Sequence, residues 1–511
     1  MLAQIKSMGL AGIDGYLVTV EAYLSAGMPM FELVGLPDAA VRESRERVRA
    51  AMLSCGYEFP VARMTINLAP ADVRKEGPSF DLPIALSILA AAGQIPPERL
   101  ENRVALGELS LNGAVTAVRG ALPMVISARA LGAKEVLLPA QNAQEVCCVE
   151  GVRLIPIESL AQAVAYITGG EKITPIAATP YAALLQRRHI THDLANVRGQ
   201  HSAKRALEIA AAGGHNVLMI GPPGSGKTLL ARCLPGILPD MTFEEALEAT
   251  RIHSAAGQLA PGEGLLTERP FRAPHHTASA AALVGGGTKA KPGEISLASG
   301  GVLFLDELPE YNRVALEAMR QPLEDGFVSV VRVNAQARYP ARVMLVAAMN
   351  PCPCGHYGSN THPCRCTQHE IRRYLDRISG PLLDRIDLQL EVSAVPVEEI
   401  TQGQQAESSA SVRARVEEAR ARQRARYGES GIFSNAMLPN REIERACVLA
   451  PDAEQILRLA MSKYQLSMRA YTRLLKVSRT IADLAGEERI LAAHVAEAIQ
   501  YRNLDQKYWG G

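Results

Sequence analysis

Residues 216–230 read NVLMIGPPGSGKTLL: a short apolar run, a glycine-rich turn and the opening of a helical pattern. The run predicts a buried strand, and the turn has to carry that strand straight into a helix. Its core, Gly221-Pro222-Pro223-Gly224-Ser225-Gly226-Lys227-Thr228, meets G-x-x-x-x-G-K-[ST] at every fixed position. Each residue type has a physical role. The glycines let successive backbone N–H groups turn inward around phosphate oxygens, the following helix offers its positive N-terminal end, and Lys227 brings a mobile charge to the outer phosphates. Thr228 supplies a hydroxyl for Mg²⁺. The stretch predicts a phosphate cradle between a strand and a helix.

A chain of 511 residues exceeds one ordinary core, so about three domains are expected. Hydrophobic residues at 48% and charged residues at 21% argue against disorder. No apolar run reaches membrane-spanning length; the longest, residues 80–92, is interrupted by Asp81 and Pro83 and reads as a core helix. The first residues, MLAQIKSMGLAGIDG, lack the charged start, sustained apolar stretch and cleavage site of a secretory leader, so a cytoplasmic setting is expected. Of the nine cysteines, five are scattered and four are clustered with histidines, which favours a metal site over a disulfide framework. With a net charge of +1, any surface for nucleic acid has to be local.

Residues 301–307, GVLFLDE, are an apolar run ending in two carboxylates. A buried parallel strand carries such a pair to its C-terminal edge, where ligands of open α/β sheets collect. Asp306 is then suited to hold Mg²⁺, and Glu307 to orient and activate the attacking water. A further strand, residues 343–348, leads to Asn350, whose amide can hydrogen-bond both a γ-phosphate and that water. In GPLLDRID, residues 380–387, Arg385 is the candidate finger for a neighbouring subunit's γ-phosphate, with Arg377 as rival. The plainer alternative pairs Arg385 with Asp384 or Asp387.

The N-terminal region, residues 1–170, alternates β-rich runs with helical stretches and reads as α+β. Its Lys75-Glu76-Gly77-Pro78-Ser79, its GELSLNG at 107–113 and its residues 133–139 resemble Lon-type protease domains. That resemblance implies Ser79 as nucleophile, but the activating lysine position falls at Leu122, and no lysine occurs between Lys75 and Lys134. A serine without a base is a poor nucleophile, so an inactive docking or assembly module is expected, with Ser79 capping a helix. Residues 169–180, GGEKITPIAATP, read as a linker, assigned to 171–190.

Together these parts resemble AAA+ ATPases, specifically the magnesium-chelatase-like ComM/YifB family. The longer strings that carry the resemblance are RPFRAPHHT at 269–277, the glycine run at 283–287, PGEISLA at 292–298 and LSMRA at 466–470. The resemblance implies an α/β AAA+ P-loop motor over 191–395, a Lon-protease-like (S5 domain 2-like) N-terminal domain, and a C-terminal α-helical lid over 396–511. It places Arg469 as a second sensor arginine from the lid, with Arg473 as fallback. In related AAA+ subclasses, insertions such as residues 251–291 and the two strands expected within 327–346 project toward a pore. Arg269, Arg272, His275, His276, Lys289, Lys291, Arg332 and Arg338 are therefore candidate contacts for a DNA backbone, with solvated hairpin residues as the alternative.

Cys352, Cys354, Cys364 and Cys366 form two C-x-C pairs across a loop with two histidines, a set that suits tetrahedral Zn²⁺, or else structural thiols. Residues 411–427, SVRARVEEARARQRARY, predict a helix whose arginines form a solvated face or a nucleic-acid stripe. The sequence thus predicts an Mg²⁺-dependent ATP hydrolase. The family resemblance adds a homo-oligomeric, hexameric ring that acts on DNA as a helicase for branch migration in natural transformation. The alternatives are a remodeller of a protein partner and, less favoured because the chain carries no recognisable metal-binding partner domain, a magnesium-chelatase-like activity.

Overall fold

In Leu2–Ala11, strand β1, exposed and buried residues alternate over the first six positions, and the strand pairs antiparallel with β2, Asp14–Ser25. In the computed structural model, which describes residues 1–185, 191–259, 264–287, 290–332, 335–358, 362–395, 406–428, 430–464 and 467–509, the chain divides into two compact units. The first comprises Met1–Arg187 with Phe243–Thr267 and Ala335–Ala337; the second comprises Arg188–Thr242, Glu268–Asn334 and Arg338–Gly511.

In the first unit β3 (Met30–Val34), β4 (Arg63–Ala69), β5 (Arg103–Ala105), β6 (Glu135–Pro139) and β7 (Arg153–Ile157) complete a seven-stranded mixed sheet in the order β3-β4-β2-β1-β5-β6-β7. Helix α1, Asp81–Ala91, packs on β1 and β2, and all of its residues are buried. This is why its sequence is apolar all round. Its one carboxylate, Asp81, is held by the Arg47 guanidinium through bonds of 2.6 and 3.0 Å. A second helix, α2 (Ala121–Ala130), packs against β2.

Ser79 does not cap α1. It lies in a single 3₁₀ turn, Pro78–Phe80, and the residue preceding α1 makes no side-chain cap; the Ser79 carbonyl accepts from Gly107 N at 3.0 Å. Leu122, at the position of the missing lysine, is fully buried. Residues 171–185, expected as a linker, are partly fastened to the same unit, with Ile176 N donating to Leu154 O at 2.8 Å and Thr179 N to Cys147 O at 3.0 Å; residues 186–190 lie outside the described residues. The helix Phe243–Ala256, read from sequence as part of the motor, also belongs here. Its Arg251 pairs with Asp14 and donates to Ile13 O at 3.1 Å, and its Ser254 bonds Glu145.

The second unit is built on β8 (Val217–Ile220), β9 (Phe271–Arg272), β10 (Val302–Leu305), β11 (Met344–Met349) and β12 (Leu388–Glu391), in the order β9-β10-β11-β8-β12, every pair parallel. The strand β8 lies between β11 and β12, and its four residues are all buried, as two-sided coverage of a parallel sheet requires. Helices α3 (His201–Gly213) and α4 (Lys227–Ile237) share one hydrophobic core with the lid helices α5 (Ser409–Tyr427), α6 (Pro451–Tyr464), α7 (Met468–Ala485) and α8 (Ala492–Gln500).

The arginines of α5 were expected to form a solvated face or a nucleic-acid stripe; Arg415, Arg422 and Arg424 are exposed, but four of the arginines are also tied within the protein. Arg415 pairs with Glu208 at 2.5 Å and with Glu407; Arg420 donates to Ala211 O at 3.1 Å; Arg422 donates to Asp483 O at 2.7 Å; Arg426 pairs with Asp483. With Gln423 on Ala212 O at 2.9 Å, Arg420 satisfies the last carbonyls of α3, where cations are favoured. Patterning along one helix cannot reveal such partners.

A polar chain crosses this unit. Asp387 accepts from His215 Nδ1 at 3.2 Å, and the other ring nitrogen of His215 meets Thr480 Oγ1 at 2.8 Å. Thr480 is bonded by Asn435, which also reaches Asp483 at 2.9 Å, the partner of the fully buried Arg479. Burial alone pushes the Asp387 carboxyl up, but the His215 bond and the charges of His215, Arg473 and Lys476 together hold it below its ordinary value. Removing one member of such a buried set leaves its partners uncompensated. Asp387→Ala is expected to destabilise this unit by about 3–5 kcal/mol, read as a lower urea midpoint with unchanged slope, and Asp387→Asn by less.

Candidate nucleotide-binding site

The parallel sheet brings the ends of three adjacent strands to one edge. Ile220 is opposite Met349, and Leu305 is opposite Ala347, so the loop after β8, Asp306 after β10 and Asn350 after β11 emerge together. Gly224 and Gly226 take φ +75° and +90°, left-handed conformations that glycine adopts without cost, and space is open around both. They shape the turn between Gly221, Pro222, Pro223, Ser225 and the start of α4 at Lys227.

Lys227 is buried. Its Nζ donates to Gly221 O at 2.7 Å and Pro222 O at 2.8 Å and stands 3.3 Å from Asn350 Oδ1. Burial lowers its pKa, against the opposing pull of Asp306. Thr228 Oγ1 donates to Asp306 Oδ2 at 2.9 Å. A hydroxyl and a carboxylate side by side are hard oxygen donors of the kind Mg²⁺ selects, so the residues present fit this ion.

Glu307 has φ +52°, a strained value for a residue with a side chain. Its amide is fixed by Asp306 Oδ1 at 2.9 Å, and its half-exposed carboxylate stands 3.2 Å from His276 Nδ1. His276 packs on His275 with ring centroids 4.1 Å apart, and Tyr311 OH donates to Pro274 O at 2.6 Å, pinning the segment beside the carboxylate. Sequence reading offered His276 only as a DNA contact; its approach to Glu307 depends on a long-range pairing that spacing does not show.

The same string contains two further corrections. Arg269 is tied to Pro239 O at 2.6 Å and Gly300 O at 2.6 Å, and Arg272 makes a two-pronged pair with Glu294 at 2.7 and 2.9 Å. Both arginines hold β9 and its surroundings and are engaged within the protein. Of the other candidates, Arg338 is exposed on the hairpin Phe327–Arg332/Ala335–Pro340 with its guanidinium 3.6 Å from the Phe327 ring centroid, and Lys291 is exposed. Lys289 and the Arg332 side chain lie outside the described residues, as do Asn334 at the expected joint and Leu466.

Arg385 donates to Pro381 O at 2.9 Å and pairs with Glu324, a carboxylate different from the Asp384 or Asp387 suggested by its neighbours in sequence. Arg377 pairs with Glu310 at 2.8 Å. Arg469 is largely exposed on α7, 3.3 Å from Asp384, while Arg473 is nearly buried between Asp384 and Asp387. Within one chain these arginines are therefore held by carboxylates of the 380–387 segment and its surroundings. The four cysteines are brought together, with all four Sγ atoms within 4.8 Å of one another.

The chain resembles known proteins along most of its length. Residues 193–400 match the family model described as magnesium chelatase, subunit ChlI, residues 20–142 that for subunit ChlI of Mg-chelatase, and residues 406–502 that for the ChlI C-terminal region. The chain is 47% identical over 504 residues to competence protein ComM of Haemophilus influenzae, covering 98% of this chain and 97% of that protein. It is 44% identical over 506 residues to YifB of Salmonella typhimurium, covering 99% and 98%. Lon protease 2 of Bacillus subtilis is 32% identical over 144 residues, 27% of this chain and 25% of that one.

Lys227→Ala is expected to cut nucleotide hydrolysis by at least ~10²-fold, as for loss of one preorganised donor. His276→Ala should lower kcat with KM little changed, because His276 touches Glu307 and not the cradle. Steady-state phosphate release against ATP concentration checks both.

Proposed function

Because the chain belongs to the magnesium-chelatase-like ComM/YifB family of AAA+ ATPases, we propose that it is an ATP-driven DNA translocase or helicase that promotes branch migration of recombination intermediates during natural transformation. The observation that carries the reading is the shared edge where Lys227 already meets Asn350 and Thr228 meets Asp306. Mg²⁺, when bound there, neutralises charge on the phosphates. The protein's own residues do the rest: the loop amides and Lys227 orient the phosphates, Glu307 holds and polarises the attacking water, and Asn350 fixes that water's position.

Arg385 and Arg469 complete this reading. In this reading the Arg385 guanidinium leaves Glu324 for the γ-phosphate of a neighbouring subunit, and Arg469 contacts the γ-phosphate from the lid. The working form is then a homo-oligomeric ring, hexameric by family resemblance, with the site shared between subunits. DNA as the track is supported by the likeness to a competence protein and by the exposed cations Arg338 and Lys291. Their backbone contacts would be sequence-independent and salt-sensitive.

Forked DNA should stimulate ATPase activity more than single-stranded or duplex DNA, with binding that weakens as salt rises. Arg338→Ala should lower the slope of log affinity on log salt by about one unit. Stimulation by a protein partner, with none by any DNA, would replace this reading with a protein remodeller. Glu307→Gln and Arg385→Ala subunits should each be inactive alone and partly active when mixed; failure to recover would count against a shared site.

A further inference from the structure

We propose that Cys352, Cys354, Cys364 and Cys366 bind one Zn²⁺, and that the resulting knuckle braces the phosphate loop, so that metal occupancy tunes nucleotide affinity. The bracing rests on the ATPase reading of the cradle; the metal site does not.

The sulfur geometry comes first. Cys352 Sγ lies 3.4 Å from Cys354 Sγ and 3.7 Å from Cys364 Sγ, and Cys354 and Cys364 are 3.6 Å apart. Four sulfurs placed tetrahedrally at about 2.3 Å from zinc are separated by about 3.8 Å. A disulfide brings its sulfurs to about 2.05 Å, and all four cysteines are free. The donor set is entirely soft, which selects against Mg²⁺ and for Zn²⁺. The backbone is arranged to receive thiolates: Tyr357 N donates to Cys352 Sγ at 3.3 Å, and the His356 and Arg365 amides bond Cys354. A turn closed by Gly355 N on Cys352 O at 3.0 Å folds the first C-x-C pair back on itself.

The segment also needs a cross-link. Between the end of β11 at Met349 and the helix Gln368–Leu375, none of the described residues lies in a helix or strand. A long segment with no ladder among its described residues is of the kind that metal binding orders.

Its position gives the metal a consequence. A Cβ placed on Gly355 would stand 2.6 Å from Pro223 Cδ, so the knuckle backbone lies directly against the phosphate loop. Cys352 follows Asn350 by two residues, and Asn350 Oδ1 is 3.3 Å from Lys227 Nζ. One ion would therefore fix both the wall behind Pro223 and the amide facing the lysine.

Elemental analysis of full-length protein purified without chelator should find one zinc per chain, falling to near none in the Cys364→Ser/Cys366→Ser double variant. Absence of zinc, together with no thiolate-to-metal absorption on adding Co²⁺ to the reduced protein, would overturn the site; iron with sulfide in place of zinc would do the same. Stripping zinc should weaken binding of a fluorescent ATP analogue roughly tenfold, about 1.4 kcal/mol, with recovery when Zn²⁺ is restored. Recovery separates bracing from misfolding. Unchanged affinity in the stripped protein overturns the bracing and leaves the metal count standing. A chain that binds zinc but no nucleotide refutes the ATPase reading and the bracing with it.

Discussion

The carboxylate of Asp387 sits where the strand of the phosphate loop, the segment carrying Arg385 and the helical lid meet. It accepts from His215, one residue before Asn216 and two before β8, while its second oxygen faces Arg473 of the lid at 3.7 Å. An isolated buried carboxylate would be prohibitive in this environment, so the fold has to bring these partners together and keep them there. The chain of bonds continues through Thr480 and Asn435 to Asp483 and Arg479. Polar networks of this kind are costly when half-made, which gives the lid a defined seat on the sheet.

That seat matters for chemistry because the residues around the nucleotide edge come from separate parts of the unit. Lys227, Thr228, Asp306 and Asn350 are fixed by adjacent parallel strands and need nothing more than the sheet to meet. Arg469 and Arg473 ride on the lid and lean on Asp384, three residues before Asp387. A rotation of the lid therefore has to exchange contacts at Asp384 and Asp387 with whatever the arginines reach next. In the proposed ring, nucleotide state and lid position would be coupled through these same carboxylates.

What was legible in the sequence follows from how local each signal is. The phosphate loop, the apolar run ending in Asp306 and Glu307, and the strand leading to Asn350 are contiguous patterns, and a parallel sheet gives such strand ends a common edge. The clustering of the cysteines was also readable, since two C-x-C pairs within fifteen residues can hardly stay apart. The arginines were not. Arg269, Arg272, Arg415, Arg420 and Arg426 read as exposed charge, yet each finds a carbonyl or carboxylate far away in sequence. His276 was hidden for the same reason, and so was the contact of Gly355 with Pro223, which depends on two loops from different strands. The helix Phe243–Ala256 was assigned by sequence continuity to the motor, whereas its Arg251 and Ser254 join the first unit.

The Lon-like region argues the same point from the opposite side. A fold can keep its core while losing its chemistry, because the two make separate demands. The core needs α1 buried on β1 and β2 with Asp81 neutralised by Arg47, and both conditions are met. Peptide hydrolysis by a serine needs a base within hydrogen-bonding reach. Leu122 offers none, and Lys75, the lysine just before Ser79 in sequence, is buried with its ammonium on the carbonyls of Pro70 and Val73. An ammonium spent on two carbonyls is a structural tie. What the first unit keeps is the packing of its sheet, while the residues suited to nucleotide lie at the edge of the other sheet.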